Sequence, residues 1–117
     1  MDGSDPDLAT YKDVIVRTAH SLAVRYNPVV KMTRSWGHIS DNKKFYVIID
    51  NLMNLELLFW SSKQTGNKTL YDIAFNTAAN MGKYWIRPDG STYHLVVFDP
   101  NDGTVCLSLY HSVPVLA

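Results

Sequence analysis

The chain has 117 residues, 46% hydrophobic and 12% aromatic, which is enough for one small core. Eleven basic residues balance eleven acidic ones, and no Lys/Arg cluster interleaves with aromatics, which argues against a nucleic-acid partner. The single cysteine, Cys106, excludes an internal disulfide; the acidic start MDGSDPDLAT lacks a signal-peptide pattern, and no apolar run would cross a bilayer. The expected setting is therefore cytoplasmic, with no membrane partner.

Asp5-Pro6-Asp7 reads as a helix start: an acceptor to cap, a proline with preset φ, and an acid at the positive end of the dipole. Leu8, Tyr11, Ile15, Leu22 and Tyr26 recur at helical spacing, with Ala19 filling the stripe, until Asn27-Pro28 ends the helix. Val29 to Trp36 reads as extended or irregular, and Gly37 to Lys44 as a polar loop. Phe45 to Ile49 is a short, apolar, strand-like run.

A second helix is expected from Asp50 or Asn51 to near Thr65-Gly66-Asn67. Met53, Leu55, Leu57, Leu58, Phe59 and Trp60 leave it little polar face, so burial on most sides is expected. A third helix starts at Thr69, with a stripe of Leu70, Ile73, Ala74, Thr77, Ala78, Met81 and Trp85, and stops at Arg87-Pro88-Asp89-Gly90. Thr92 to Phe98 reads as a strand, Asp99 to Gly103 as a turn, and Thr104 to Tyr110 as the second arm of a hairpin. The reading is a mainly α chain with one small β-hairpin. The second helix needs neighbours on several sides and has only two other helices, while the tail LYHSVPVLA stops still apolar. Both point to a single incomplete domain over residues 1–117.

Asp50 is the first candidate for chemistry, because it sits between two apolar segments in FYVIIDNLMNLELLFW. As a helix N-cap it would accept bonds from backbone N–H groups two or three residues on, and this is the commoner role for an Asp here. As a general acid it would need burial, or a second carboxylate nearby, to stay protonated. Trp36, after Arg34-Ser35, is either a core plug or a platform for a sugar ring. His94, expected on the strand, is more often structural than catalytic. His20, His38 and His111 lie alone, so no metal-ligand spacing is present, and neither a Gly-rich phosphate loop nor a G-x-S-x-G elbow occurs. Cys106 reads as a small core residue, and Glu56 as a surface or helix-pair residue.

Taken together, SLAVRYNPVVKMTRSW, VIIDNLMNLELLFW and RPDGSTYHLVVFDPNDGTV, in that order, resemble glycoside hydrolase family 88, the unsaturated glucuronyl hydrolases. The resemblance covers about residues 11–105, with a divergent tail over 106–117. It implies a fragment of an (α/α)6 barrel of the six-hairpin glycosidase type, with the second helix an inner one. It implies a substrate left by a polysaccharide lyase, an oligosaccharide ending in an unsaturated uronic acid, and hydration of its C4=C5 double bond. Asp50 matches the family's general acid/base, Trp36 its aromatic wall and His94 a substrate-contacting histidine. No metal or organic cofactor is implied. The family's second aspartate, in a His-Asp-x-Gly-Phe stretch, has no match before Asp5, and its later carboxylate-binding pocket has none after Val105. Thr77 stands where the family often has histidine. A working hydrolase and a non-catalytic remnant that binds sugars or a protein through exposed apolar surface, with self-association, are both open at this point.

Overall fold

The computed structural model describes residues 8–109. In chain order it contains α1 (Leu8–Ala23), β1 (Tyr26–Asn27), β2 (Met32–Thr33), β3 (Phe45–Ile48), α2 (Asn51–Thr65), α3 (Lys68–Trp85), β4 (Leu95–Phe98) and β5 (Val105–Leu109). The expected cap at Asp5 to Asp7, most of the apolar tail and His111 lie outside the described residues.

The centre of the fold is the α2–α3 hairpin. Gly66 ends α2 in the left-handed region (φ 71°), where a side chain would be strained, and its N–H donates to Ser62 O at 2.8 Å. Asn67 starts α3 at once, its Oδ1 accepting from Thr69 N at 3.0 Å. A left-handed stop followed directly by a side-chain cap reverses the chain within two residues, and so sets the two helices antiparallel.

Of the stripe read from α3, Leu70, Ile73, Ala74, Thr77, Met81 and Trp85 are buried and Ala78 is half-buried. Its two halves serve different cores. The first half meets Ala19 of α1 and Leu55 and Leu58 of α2. The second half, through Met81 and Trp85, packs on Val30, Met32, Phe45, Val47, Val96 and Phe98. Trp85 and Phe98, both fully buried, lie with ring centroids 5.8 Å apart. Helix α3 thus joins the helical layer to the sheet.

The sheet is larger than the hairpin expected from sequence. Strand β4 is central in an antiparallel sheet ordered β3-β4-β5, with Phe45 opposite Phe98 and Ile48 opposite Leu95. A further two-residue pair joins β1 and β2. The β3–β4 pairing spans the whole α2–α3 hairpin, so no local turn signal announces it. All four β4 residues are buried, which explains why this strand lacks clear alternation.

Helix α2 departs from its expected burial. Leu55 and Leu58 are buried, but Met53 is 80% exposed and Leu52 43%. Two neighbouring helices can cover one side of a helix, and α2 is apolar on more than one. Tyr11 of α1, expected in the apolar stripe, is likewise exposed, and so is Cys106 on β5. Among the described residues no helix is long and apolar enough to cross a membrane.

Candidate functional site

The candidate site lies where β3 runs into α2. Ile49 closes the β3–β4 ladder, donating its N–H to His94 O at 2.8 Å. Asp50 follows, and α2 begins at Asn51. On the other edge of β3, Trp36 forms an isolated antiparallel bridge with Tyr46, and Ser35 N donates to Tyr46 O at 2.8 Å. The backbone therefore places His94 beside Ile49, next to Asp50, and Trp36 beside Tyr46, four residues before Asp50 on the opposite edge of β3.

Asp50 is exposed, which corrects the expectation of an acid in an apolar wall. It makes no side-chain cap bond either. Its dihedrals (φ −60°, ψ −18°) are already helical, whereas capping by the side chain needs the extended geometry that Asn67 has. The carboxylate is left facing solvent, and the buried polar residue at the helix start is its neighbour Asn51, 5% exposed.

Asn51 organises the junction. Its Nδ2 donates to Thr33 O at 2.7 Å and to Thr33 Oγ1 at 3.1 Å. Its Oδ1 accepts from Ser35 Oγ at 2.6 Å, and the same hydroxyl accepts from Ile48 N at 3.0 Å. Two arginines fix the loop beyond. Arg25 donates to Arg34 O and Gly37 O, each at 2.9 Å, and reaches Ser35 O at 3.4 Å. Arg34, only 3% exposed, donates to Lys44 O and Asp41 O, each at 2.8 Å, and lies 4.5 Å over the Phe45 ring. Burial holds its guanidinium below the ordinary arginine value, with Asp41 opposing the shift. Gly37, at φ 86°, passes so close that a Cβ would meet Arg34 Nη1 at 3.3 Å.

Trp36 is 39% exposed, tilted against Tyr46 at 6.4 Å. It is thus half free to meet a ligand rather than a core plug. His94 sits in a bend one residue before β4, not on the strand, and its carbonyl also accepts from Trp85 Nε1 at 3.4 Å. Thr77 is buried and donates to Ile73 O at 2.8 Å. Glu56 is exposed and lines a shallow groove with Ile15, Met53, Leu57 and Trp60. Among the described residues no three His, Cys, Asp or Glu side chains gather as a metal site would need.

Sequence reasoning missed Asn51, Ser35, Arg25 and Arg34. One signal was available: Arg34 follows the alternating apolar residues Val30 and Met32, where a charge calls for partners.

No family model matches the chain. The unsaturated glucuronyl hydrolase of Formosa agariphila is 46% identical to it over 101 residues, which is 86% of this chain and 25% of that protein. Among solved structures, the unsaturated glucuronyl hydrolase of Bacillus sp. GL1, responsible for the degradation of glycosaminoglycan, matches with a TM-score of 0.81 at 28% identity. That match covers 88% of this chain and 28% of the other. A substituted unsaturated glucuronyl hydrolase with dGlcA-Glc-Rha-Glc matches with a TM-score of 0.79 at 28% identity, over 86% of this chain and 27% of that one. The chain spans about a quarter of the length of the Formosa relative.

Proposed function

We propose a function from the premise that the chain belongs to the unsaturated glucuronyl hydrolases, glycoside hydrolase family 88, and forms part of their (α/α)6 barrel. The function is hydrolysis of oligosaccharides that end in an unsaturated uronic acid, by hydration of the C4=C5 double bond. Asp50 gives its proton to carbon 4 as the π electrons form the new C–H bond. The carboxylate then takes a proton from water as the water oxygen bonds to carbon 5. The hemiketal opens to a ketone at carbon 5, which leaves a hemiacetal at carbon 1; that hemiacetal collapses to an aldehyde as its hydroxyl proton passes to the glycosidic oxygen, and the neighbouring sugar leaves as an alcohol. Trp36 packs its indole on a sugar face, and His94 contacts the substrate.

The observation that supports this reading is the turn from β3 into α2: Asp50 is exposed there, one residue after Ile49, whose N–H donates to His94 O, and the exposed Trp36 pairs with Tyr46 further back on the other edge of β3. Reaction in D2O tests the chemistry. A deuteron on carbon 4 of the product supports proton transfer to carbon, and unlabelled carbon 4 excludes it.

A second reading is favoured by the uncovered apolar surface, including Met53, Tyr11 at 59% and Phe75 at 55% exposure. On this reading the chain is a non-catalytic remnant that associates with itself or a protein, or weakly with sugars.

A further inference from the structure

Asn51 uses both ends of its amide inside the fold. Thr33 O can only accept, which fixes Nδ2 toward Thr33 and Oδ1 toward the Ser35 hydroxyl. The Ser35 hydroxyl, having donated to Asn51, accepts from Ile48 N, whose residue pairs with β4 on its other edge. Three segments of the chain are therefore joined through one buried side chain: residues 33–35, the end of β3 and the first residue of α2.

The segment before Trp36 needs such an anchor. Its register on β3 rests on one isolated bridge and the Ser35–Tyr46 backbone bond, not on a ladder. The Arg25 guanidinium also holds the segment's carbonyls, but none of these bonds ties it to α2. The Ser35–Asn51 bond supplies such a tie, joining the residue before Trp36 to the residue after Asp50. A buried amide is costly unless every group is matched, and an apolar side chain could fill the same space without fixing a direction.

We infer that Asn51 is a positioning residue, which through Ser35 sets the Trp36 wall at a fixed place relative to Asp50. The consequence for catalysis rests on the function proposed above; the mechanical role does not. Small displacements of a substrate platform relative to an acid cost rate steeply, so the bond bears on turnover without touching substrate.

The test uses the 117-residue chain and its Asn51→Ala and Ser35→Ala variants, followed by amide hydrogen exchange in NMR. A positioning role accelerates exchange at the Ser35 and Ile48 amides about tenfold in both variants, while the β4 amides stay within about twofold. Uniform acceleration through β4, or none at Ser35 and Ile48, overturns the inference. Ser35→Ala removes a single hydroxyl and carries the test if Asn51→Ala does not fold. Titration with an unsaturated glucuronyl disaccharide, read at the Trp36 indole N–H, forms the second arm. Binding weakened about tenfold in both variants supports the link to substrate, and unchanged binding overturns it. A wild-type chain whose indole does not respond overturns substrate binding at Trp36, and exchange still decides whether Asn51 positions the segment.

Discussion

The Ser35 hydroxyl donates to Asn51 Oδ1 across 2.6 Å, joining the residue before Trp36 to the residue after Asp50. The aromatic and the acid are thus tied by their neighbours, while their own side chains stay available to a ligand. This arrangement separates rigidity from exposure: amide, hydroxyl and guanidinium groups hold the backbone, and the Trp36 and Asp50 side chains stay open to solvent.

Arg25→Lys tests the loop clamp. The guanidinium fork spans the carbonyls of Arg34, Ser35 and Gly37, which one ammonium cannot do. Losing part of this charge-assisted set should cost about 1.5–3 kcal/mol, seen as a lower urea midpoint. The emission of Trp36 should become easier to quench. An unchanged midpoint would show that solvent replaces these bonds at no cost.

Trp85→Ala tests the joint between helices and sheet. The indole is fully buried against Phe98, and its N–H reaches His94 O. Removing it should destabilise by about 3–5 kcal/mol, enough to unfold a small domain, with Trp85→Phe costing much less. Circular dichroism with urea titration measures both. Equal stability of the Ala variant and the wild type would contradict the packing described.

Acid should loosen the β4–β5 turn. The Asp102 carboxylate accepts from the Thr104 hydroxyl at 2.7 Å and amide at 2.9 Å, which hold it below the usual carboxylate range. The Ser91 hydroxyl and amide do the same for Asp89, and the Lys43 and Lys44 amides for Asp41. Each depressed group favours the folded state fully above the ordinary carboxylate range. That contribution is lost as pH falls through the depressed value. Unfolding midpoints should therefore fall with acidification, and Asp102→Asn should flatten part of the slope. A midpoint that rises on acidification would contradict the assigned direction.

Met53→Ser separates the two functional readings. At 80% exposure this side chain contributes little to folding, so stability should change by no more than about 0.5 kcal/mol. If the uncovered α2 face mediates self-association, sedimentation velocity should show more monomer in the variant. An unchanged distribution removes Met53 from any such interface.

Local chemistry made the helices legible. Gly66 after Thr65, Pro88 after Arg87, and the α3 stripe each carry their meaning within a few residues. The sheet was harder, because β3 and β4 meet only after the α2–α3 hairpin has folded. The environment of the candidate site residues was not legible in the sequence. Asp50 lies between apolar segments and is exposed, because it occupies the turn into α2, where Leu52 and Met53 are exposed as well. Asn51 and Ser35 were illegible because their partners, Thr33 and Ile48, become neighbours only through the fold. The resemblance alone suggests roles for Trp36, Asp50 and His94; the fold places His94 beside Ile49, next to Asp50, and Trp36 beside Tyr46 on the other edge of β3.

The most direct measurement is the ultraviolet absorbance of an unsaturated glucuronyl disaccharide incubated with the purified chain and with Asp50→Asn. The account predicts loss of the double-bond absorbance with the wild-type chain and none above background with the variant, whose fold is unchanged because the Asp50 side chain makes no cap bond. No loss from a folded wild-type sample, or equal loss from both proteins, would contradict Asp50 as the general acid of this chain.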